Sequence, residues 1–313
     1  MNDASLDQSL TPIYQTLKQQ LAARLQFLPD KPEETLDSTA HALWHAAAGI
    51  PVSAVLALEA PLSVLDAAQQ QRLRELTRQR LDGIPLSHIT GRQHFMGVEM
   101  LATPEALVPR RETELLARTA IDLALQMGES AQQIGAQQPT IKVIDVCTGS
   151  GNVALAIARH VANAHVYAAD LSEDAVALAK RNAAHLQLAA RTEFRAGDLL
   201  ASFDTPEFLG KIDVLTCNPP YISSAKVEQM HSEISAHEPH LAFDGGPFGV
   251  AILMRFLQEA PRFVRSGGWL AFELGLGQGP AMLKRMEKNP AFAQVRALHD
   301  AAGDVRAIAA QLA

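Results

Sequence analysis

The chain has 313 residues, of which 48% are hydrophobic and 19% charged, and a formal charge of −7. That is enough for one or two domains with a full core, and the acidic balance excludes a general attraction to polyanions, leaving room only for a local basic face. No apolar run approaches the ~20 residues of a membrane span, and the start of the sequence lacks a basic-then-apolar signal, so a soluble, cytoplasmic protein is expected.

Residues 1–92 read as helical, with no convincing strand. Ile13, Leu17, Leu21 and Leu25 recur on one face of a helix over Ile13–Phe27. A second helix is expected over Leu36–Ala48, capped by Asp37 or Ser38. A short one follows over Val52–Leu58, between Pro51 and Pro61, and a longer one over Leu62–Leu81. The pattern is that of a small helical bundle, better suited to gripping a substrate than to chemistry.

From Gly83 to Arg111, glycines and prolines punctuate short segments, as in a hairpin-like linker, placed at residues 93–111. Pro109-Arg110-Arg111-Glu112-Thr113-Glu114 then leads into an amphipathic helix ending near Met127, its acidic first turn matched to the helix dipole. Residues 128–139, rich in Gln, Gly and Ser, read as an exposed loop.

Beyond this point strands and helices alternate. Strands are expected at Ile141–Val146, His165–Asp170, Thr192–Ala196, Ile212–Cys217 and Trp269–Leu274, with two more near Phe292–His299 and Val305–Gln311. Helices are expected at Asn152–His160, Ser172–Leu188, Val250–Val264 and about Pro280–Lys288. This alternation predicts an α/β domain over residues 112–313, its parallel sheet covered by helices on both faces.

The first of these strands runs through Asp145 into a turn made of Cys147, Thr148, Gly149, Ser150 and Gly151, and then into a helix. Glycines let backbone approach a ligand closely, and a helix N-terminus offers unpaired N–H groups. Asp170 ends the next strand 21 residues after Gly149, a spacing that suits a carboxylate accepting from ribose hydroxyls. Asp198, with Leu199 beside it, ends the third strand and is placed to accept from an adenine amine. The turn also satisfies the dinucleotide fingerprint, Gly149-x-Gly151-x-x-Ala154, so a nicotinamide-dependent dehydrogenase competes. Two features favour S-adenosylmethionine. Asp145 would sit poorly beside a pyrophosphate but well beside a methionine ammonium, directly or through water. The other is the stretch that closes the fourth strand.

That stretch is Asn218-Pro219-Pro220-Tyr221. Two prolines fix φ twice and remove two backbone donors, leaving their carbonyls free to accept. Asn218 adds a side-chain carbonyl and Tyr221 a flat aromatic face. The four residues suit a planar group bearing –NH2, its hydrogens held by two acceptors and its face covered by the ring. At the sheet's switch point they would stand beside the cofactor.

Cys147 and Cys217 are the two cysteines. Both end strands that this fold places side by side, so they are expected close together and reduced. His231, His237 and His240 cluster in one segment without the carboxylate or cysteine pattern of a metal site. Ser223–Asp244 therefore reads as a polar loop flanking a substrate channel, with Glu238 a structural or peptide-contacting residue.

Together these residues resemble the HemK-type protein-glutamine methyltransferases. The resemblance runs through Pro85-Leu86-x-x-Ile89-x-Gly91, Phe95, Leu107-Val108-Pro109-Arg110-x-Glu112-Thr113-Glu114, the Asp145–Gly151 loop and Asn218–Ile222. It continues through His237-Glu238-Pro239, Asp244-Gly245-Gly246-x-x-Gly249 and Glu273-Leu274-Gly275-x-Gly277-Gln278. It implies a class I S-adenosylmethionine-dependent methyltransferase with a Rossmann-like seven-stranded sheet, a helical N-terminal substrate domain and a hairpin linker. It also implies methylation of a glutamine side-chain amide in a translation protein: a peptide chain release factor first, a large-subunit ribosomal protein second. Arg111 stands where the release-factor branch usually has proline, and Cys147 where it usually has glycine. The Cys-Thr-Gly-Ser-Gly loop is more like the ribosomal-protein branch, whereas Pro-Arg-x-Glu-Thr-Glu is like the release-factor branch. Asn-Pro-Pro-Tyr is shared with methyltransferases of the adenine amine in nucleic acid, which usually present a basic face. The acidic balance speaks against that alternative, and no direct nucleic-acid binding is expected. A cofactor-binding protein without activity would be expected to lose the acceptor motif.

Overall fold

In the computed structural model, which describes residues 11–133, 139–227 and 237–313, the chain falls into two units. The first holds the described residues up to His94 together with Glu99–Pro104. The second holds Phe95–Val98 and the rest from Glu105 onward, with residue 237 assigned to the first.

The first unit is built from α1 (Thr11–Arg24), α2 (Leu36–Ala47), α3 (Ala67–Leu81) and the short α4 (Leu86–Thr90). Leu17, Leu21, Leu43, Trp44, Leu73 and Leu76 form its core, and the Trp44 indole, which must find an acceptor when buried, donates to the Ser63 carbonyl at 2.8 Å. α2 is capped by Thr35 rather than by Asp37 or Ser38. Thr35 Oγ1 accepts from the Ser38 amide at 3.1 Å while Ser38 Oγ accepts from the Thr35 amide at 2.8 Å, so Ser38 completes the box from inside the helix. Val52–Leu58 is not a helix but a run of turns. Ser53 gives both its amide and its hydroxyl to Glu99 Oε2, at 3.0 and 2.8 Å, and that bond competes with helical pairing. α3 starts at Ala67, later than its periodicity suggests, because Asp66 and Gln69 form a capping box there. Leu62 and Leu65 are buried from the irregular stretch before it.

A hairpin follows, with β1 (Arg92–Phe95) paired to β2 (Val98–Leu101). Its two turn residues, Met96 and Gly97, both take positive φ, 48° and 77°, the backbone a two-residue hairpin requires.

In the second unit a 3-10 turn at Arg111–Thr113 leads into α5 (Glu114–Gln133), which runs on past Met127. Part of the expected loop is thus helix, and residues 134–138 lie outside the described residues. Then come β3 (Ile141–Val146), α6 (Asn152–His160), β4 (Ala164–Asp170), α7 (Glu173–His185), β5 (Thr192–Ala196), β6 (Ile212–Cys217), α8 (Ser224–Val227), α9 (Ala251–Glu259), β7 (Val264–Glu273), α10 (Gly279–Glu287), β8 (Phe292–His299) and β9 (Val305–Leu312). One seven-stranded sheet takes all strands from β3 on, in the order β5-β4-β3-β6-β7-β9-β8. β3 to β7 are parallel, and β9 alone runs against them, pairing antiparallel with both β7 and β8. β6 is buried along its whole length and β3 at every position but Lys142, as near-continuous apolar strands between helical layers must be. Ile144, Leu215, Phe256, Phe272 and Ile308 pack in the core.

Two boundaries differ from the sequence expectation for local reasons. α9 stops at Glu259, with Pro261 in the 3-10 turn that follows, since proline cannot continue the helical ladder. β7 begins at Val264, five residues before Trp269, because its Gly267-Gly268 pair, which reads as a turn, is an irregularity inside the strand.

Candidate active site

The sheet changes direction of growth between β3 and β6: β4 and β5 follow on one side, β7 on the other. Crevices form outside the carboxyl ends of strands at such a switch point. A cavity of about 200 Å³ lies there, far above the ~10–15 Å³ that admits a single water and so of ligand size. Of the residues singled out from sequence, Cys147, Thr148, Gly149, Ser150, Asp170, Asp198, Leu199, Asn218 and Pro220 form its wall. Asp145, Gly151, Pro219 and Tyr221 do not.

Asp145 is instead buried beneath the wall. Its two oxygens accept from the hydroxyls of Thr148 at 2.6 Å and Thr216 at 2.7 Å. Burial, ahead of those hydrogen bonds, raises its pKa to about 6. The turn above it closes with the Gly151 amide on the Thr148 carbonyl at 2.8 Å, and buried Asn182 holds the Ser150 carbonyl at 3.1 Å. Gly151, at φ 83°, has no room for a side chain: a Cβ would stand 3.1 Å from both Ala179 Cβ and Phe194 Cε1. Cys147 and Leu199 also take positive φ, 57° and 49°, though neither is glycine. Such backbone is unfavourable for an L-residue and gathers where a ligand must be met. For Cys147 it gives a physical reason why glycine suits the same position.

Asp170 Oδ2 accepts from the Gly149 amide at 2.8 Å and Oδ1 from the Ser172 amide at 2.9 Å. Both bonds aim the carboxylate at the cavity, and burial raises its pKa. Asp198 accepts from Arg255 Nη2 at 2.8 Å, a partner that sequence gave no reason to pick out.

The four-residue motif is clamped from behind. Gln278 Nε2 donates to the carbonyls of Tyr221 and Gly249, both at 3.1 Å, while Gln278 Oε1 accepts from the Gly275 amide at 2.9 Å. Ile222 bridges to Asp244. A Cβ on Gly245 would lie 2.5 Å from the Pro220 carbonyl oxygen, and one on Gly249 would collide with the Tyr221 carbonyl. Gly245 and Gly249 of Asp244-Gly245-Gly246-x-x-Gly249 therefore let this backbone pass. Among the described residues no hydrogen bond reaches the Pro219 carbonyl. Asn218 Nδ2 donates to Thr113 Oγ1 at 3.2 Å. The Tyr221 hydroxyl donates to Glu273 Oε1 at 3.0 Å, and burial keeps the phenol protonated.

Two further stretches contribute to the wall, one with Leu107, Pro109, Arg110 and Thr113 and the other with Pro239, Leu241 and Ala242. Glu238 joins the two: Oε1 takes Arg110 Nη2 at 2.6 Å and Oε2 takes the Val108 amide at 3.0 Å, with both side chains buried. Glu238 is thus structural. His231 lies outside the described residues, and among the described residues no group of three or more His, Cys, Asp or Glu is arranged to hold a metal. Cys217 pairs in register with Val146 across β3 and β6, so the two thiols stand 4.0 Å apart, both free. Burial lifts the Cys217 thiol well above its usual range.

Residues 137–297 match a family model described as a methyltransferase domain, and residues 19–91 match one described as a PrmC N-terminal domain. A release factor glutamine methyltransferase of Moorella thermoacetica is 37% identical over 224 residues, 72% of this chain and 74% of that protein. One of Bradyrhizobium diazoefficiens is 33% identical over 264 residues, 84% and 83%. Among solved structures, the hMettl16 catalytic domain in complex with MAT2A 3'UTR hairpin 6 superposes with a TM-score of 0.51 at 15% identity, over 81% of this chain and 85% of that one, a likeness of fold alone.

Proposed function

The chain belongs to the release factor glutamine methyltransferase family, and from that membership we propose that it methylates the side-chain amide nitrogen of a glutamine in a peptide chain release factor, with S-adenosylmethionine as donor. The observation that carries the reading is that Asn218 shares one cavity with Asp170 and the Thr148–Ser150 turn. The acceptor for an amine and the ribose-type carboxylate thus face the same space.

The residues fit that donor. Asp170 is aimed by two backbone amides and is suited to ribose hydroxyls, with Asp198 and Leu199 at the adenine end. Gly149, at φ 54°, has nothing within 4 Å of where a Cβ would be, so backbone itself is open to a ligand. Asp145 acts on the methionine end from below, through Thr148. A bound sulfonium supplies a strong methyl donor, so neither a metal nor a covalent enzyme intermediate is needed.

An amide nitrogen is a poor nucleophile because its lone pair is delocalised into the carbonyl. Asn218 Oδ1 and the Pro219 carbonyl hold its two hydrogens and so direct the nitrogen. Orientation of this kind supplies up to ~7–11 kcal/mol in the best cases. The same acceptors stabilise positive charge building on nitrogen, and the proton leaves to water afterwards. Tyr221, tied through its hydroxyl to Glu273, covers the amide plane. Residues 1–92 serve as the substrate-recognition domain, 93–111 as the linker and 112–313 as the methyltransferase domain. A release factor as substrate places the protein in the cytoplasm, with no direct nucleic-acid binding.

The test is methyl transfer from labelled S-adenosylmethionine to purified release factor, with ribosomal protein and DNA as parallel arms. Label on release factor glutamine alone is expected, and label on DNA or ribosomal protein alone refutes the reading. Asn218→Ala should abolish turnover with donor affinity within about threefold; retained turnover removes Asn218 from the reaction.

A further inference from the structure

The chain has two thiols, Cys147 and Cys217, and the mechanism above uses neither. Cys147 is half-buried in the wall of the cavity, whereas Cys217 is fully buried and forms no part of that wall. The Cys217 thiol donates to the Cys147 sulfur at 4.0 Å. We propose that the pair is a modification site: a hydroperoxide entering the cavity joins the two thiols in a disulfide, and the cross-link stops methyl transfer until a thiol reductant opens it. The linkage stands on the geometry of the two strands, and its effect on transfer rests on the function just proposed.

Cys217 is in register with Val146, so Cys147 stands one residue past its direct neighbour. With strands ~4.8 Å apart and a rise of ~3.3 Å per residue, that offset sets the two Cα atoms about 6 Å apart. Such a separation is common for disulfides, whose sulfurs lie ~2.05 Å apart. From 4.0 Å the sulfurs need to close by about 2 Å, within reach of rotation about the Cα–Cβ bonds. Access decides which sulfur reacts first. Hydrogen peroxide meets Cys147 from the cavity; the sulfur attacks one oxygen, the O–O bond breaks, and a sulfenic acid and one water result. Burial keeps Cys217 protonated until then and makes it the resolving thiol. Its sulfur attacks the sulfenic sulfur, the S–S bond forms, the S–O bond breaks, and the hydroxyl leaves with the Cys217 proton as a second water. The two thiols give up two electrons and the peroxide takes them.

The cross-link would bind the two halves of the site to each other. Cys147 precedes Thr148, whose hydroxyl holds Asp145 and whose carbonyl closes the turn on the Gly151 amide. Cys217 precedes Asn218. Drawing the Cys147 sulfur toward β6 therefore shifts the turn that faces the donor relative to the acceptor, and a misplacement of ~1 Å can cost about a hundredfold in rate. A donor already seated in the cavity covers Cys147 and spares it.

The test treats reduced full-length protein with hydrogen peroxide, with and without saturating S-adenosylmethionine. Peptide mapping under non-reducing conditions should find Cys147 and Cys217 joined within one chain, and donor should slow the linkage about fivefold or more. Turnover with release factor should fall with the cross-linked fraction, by about tenfold or more at completion, and dithiothreitol should restore it. Cys217→Ala should turn over like wild type before peroxide, form no disulfide, and let dimedone trap a sulfenic acid on Cys147. The wild-type mapping decides even where that variant fails to fold. Both thiols free after peroxide, links only between chains, a sulfinic Cys147 beside a free Cys217, or full turnover in cross-linked protein overturns the inference. Should reduced wild-type protein label no release factor, the proposed function fails alone. The mapping then decides the site: a linkage within one chain that dithiothreitol reverses sustains it, and free thiols refute it.

Discussion

Replacing buried Glu273 by glutamine has a consequence for stability that can be worked out in sign and size. Burial lifts this carboxyl from 4.5 to about 7, ahead of the opposing hydrogen bond from Tyr221. The folded state therefore keeps the proton to higher pH than the unfolded chain does. The stabilisation is complete below the unfolded pKa and is lost as pH rises through the folded one. At about 1.4 kcal/mol per pH unit, the loss between pH 4.5 and pH 7 is roughly 3 kcal/mol. Glutamine does not titrate. The stability of the variant relative to wild type should thus rise by about 3 kcal/mol on going from about pH 4.5 to about pH 8. Urea unfolding at the two pH values, followed by tryptophan fluorescence with Trp269 on β7 as a reporter in the same strand, gives the difference. Asp145, raised to about 6 by burial, titrates over the same interval in both proteins and cancels. A variant-minus-wild-type stability that stays constant within about 0.5 kcal/mol refutes the reasoning.

Three further outcomes follow from the site. Gly249→Ala drives a methyl group into the Tyr221 carbonyl at a φ of 68°, so it should displace the motif and cost about a hundredfold in kcat, measured against release factor; wild-type turnover would show that the clamp is irrelevant to geometry. Glu238→Gln leaves Arg110 buried beside a neutral partner and should lower unfolding free energy by about 3–5 kcal/mol by urea titration, where a change below about 1 kcal/mol would contradict a buried pair. Thiol titration of denatured, non-reduced protein should find both Cys147 and Cys217 free, their sulfurs being 4.0 Å apart and unbonded; no free thiol would overturn this.

What sequence carried and what it could not divide along a physical line. β3, β5, β6, α6 and β8 occupy the expected residues, because an apolar run bounded by turn residues, or a helical stripe after glycines, is a local signal. Thr148–Ser150, Asp170, Asp198 and Asn218 converge because strand order at a switch point follows from the alternation of strands and helices. The cap of α2 and the turns at Val52–Leu58 escaped detection for a different reason. Ser38, Thr35 and Asp37 are chemically equivalent as caps, and the Ser53–Glu99 bond joins residues far apart in sequence. Asp145 lies beneath the cavity wall and not in it: nothing in the primary structure showed that Thr148 and Thr216 would take both its oxygens. Thr113, Glu273, Glu238 and Arg255 were each visible as motif members or surface charges. Their partners are set by tertiary packing alone.

The position of β9 between β7 and β8 constrains assembly. β8 precedes β9 in synthesis yet touches the sheet only through it. Residues 292–299 must therefore wait, or pair first with 305–312 and dock as a ready-made hairpin along the open flank of β7. Until then Trp269–Glu273 presents an unpaired edge, the sort of surface on which partly folded chains adhere to one another. Recovery of soluble protein after refolding should thus depend on how fast that hairpin closes.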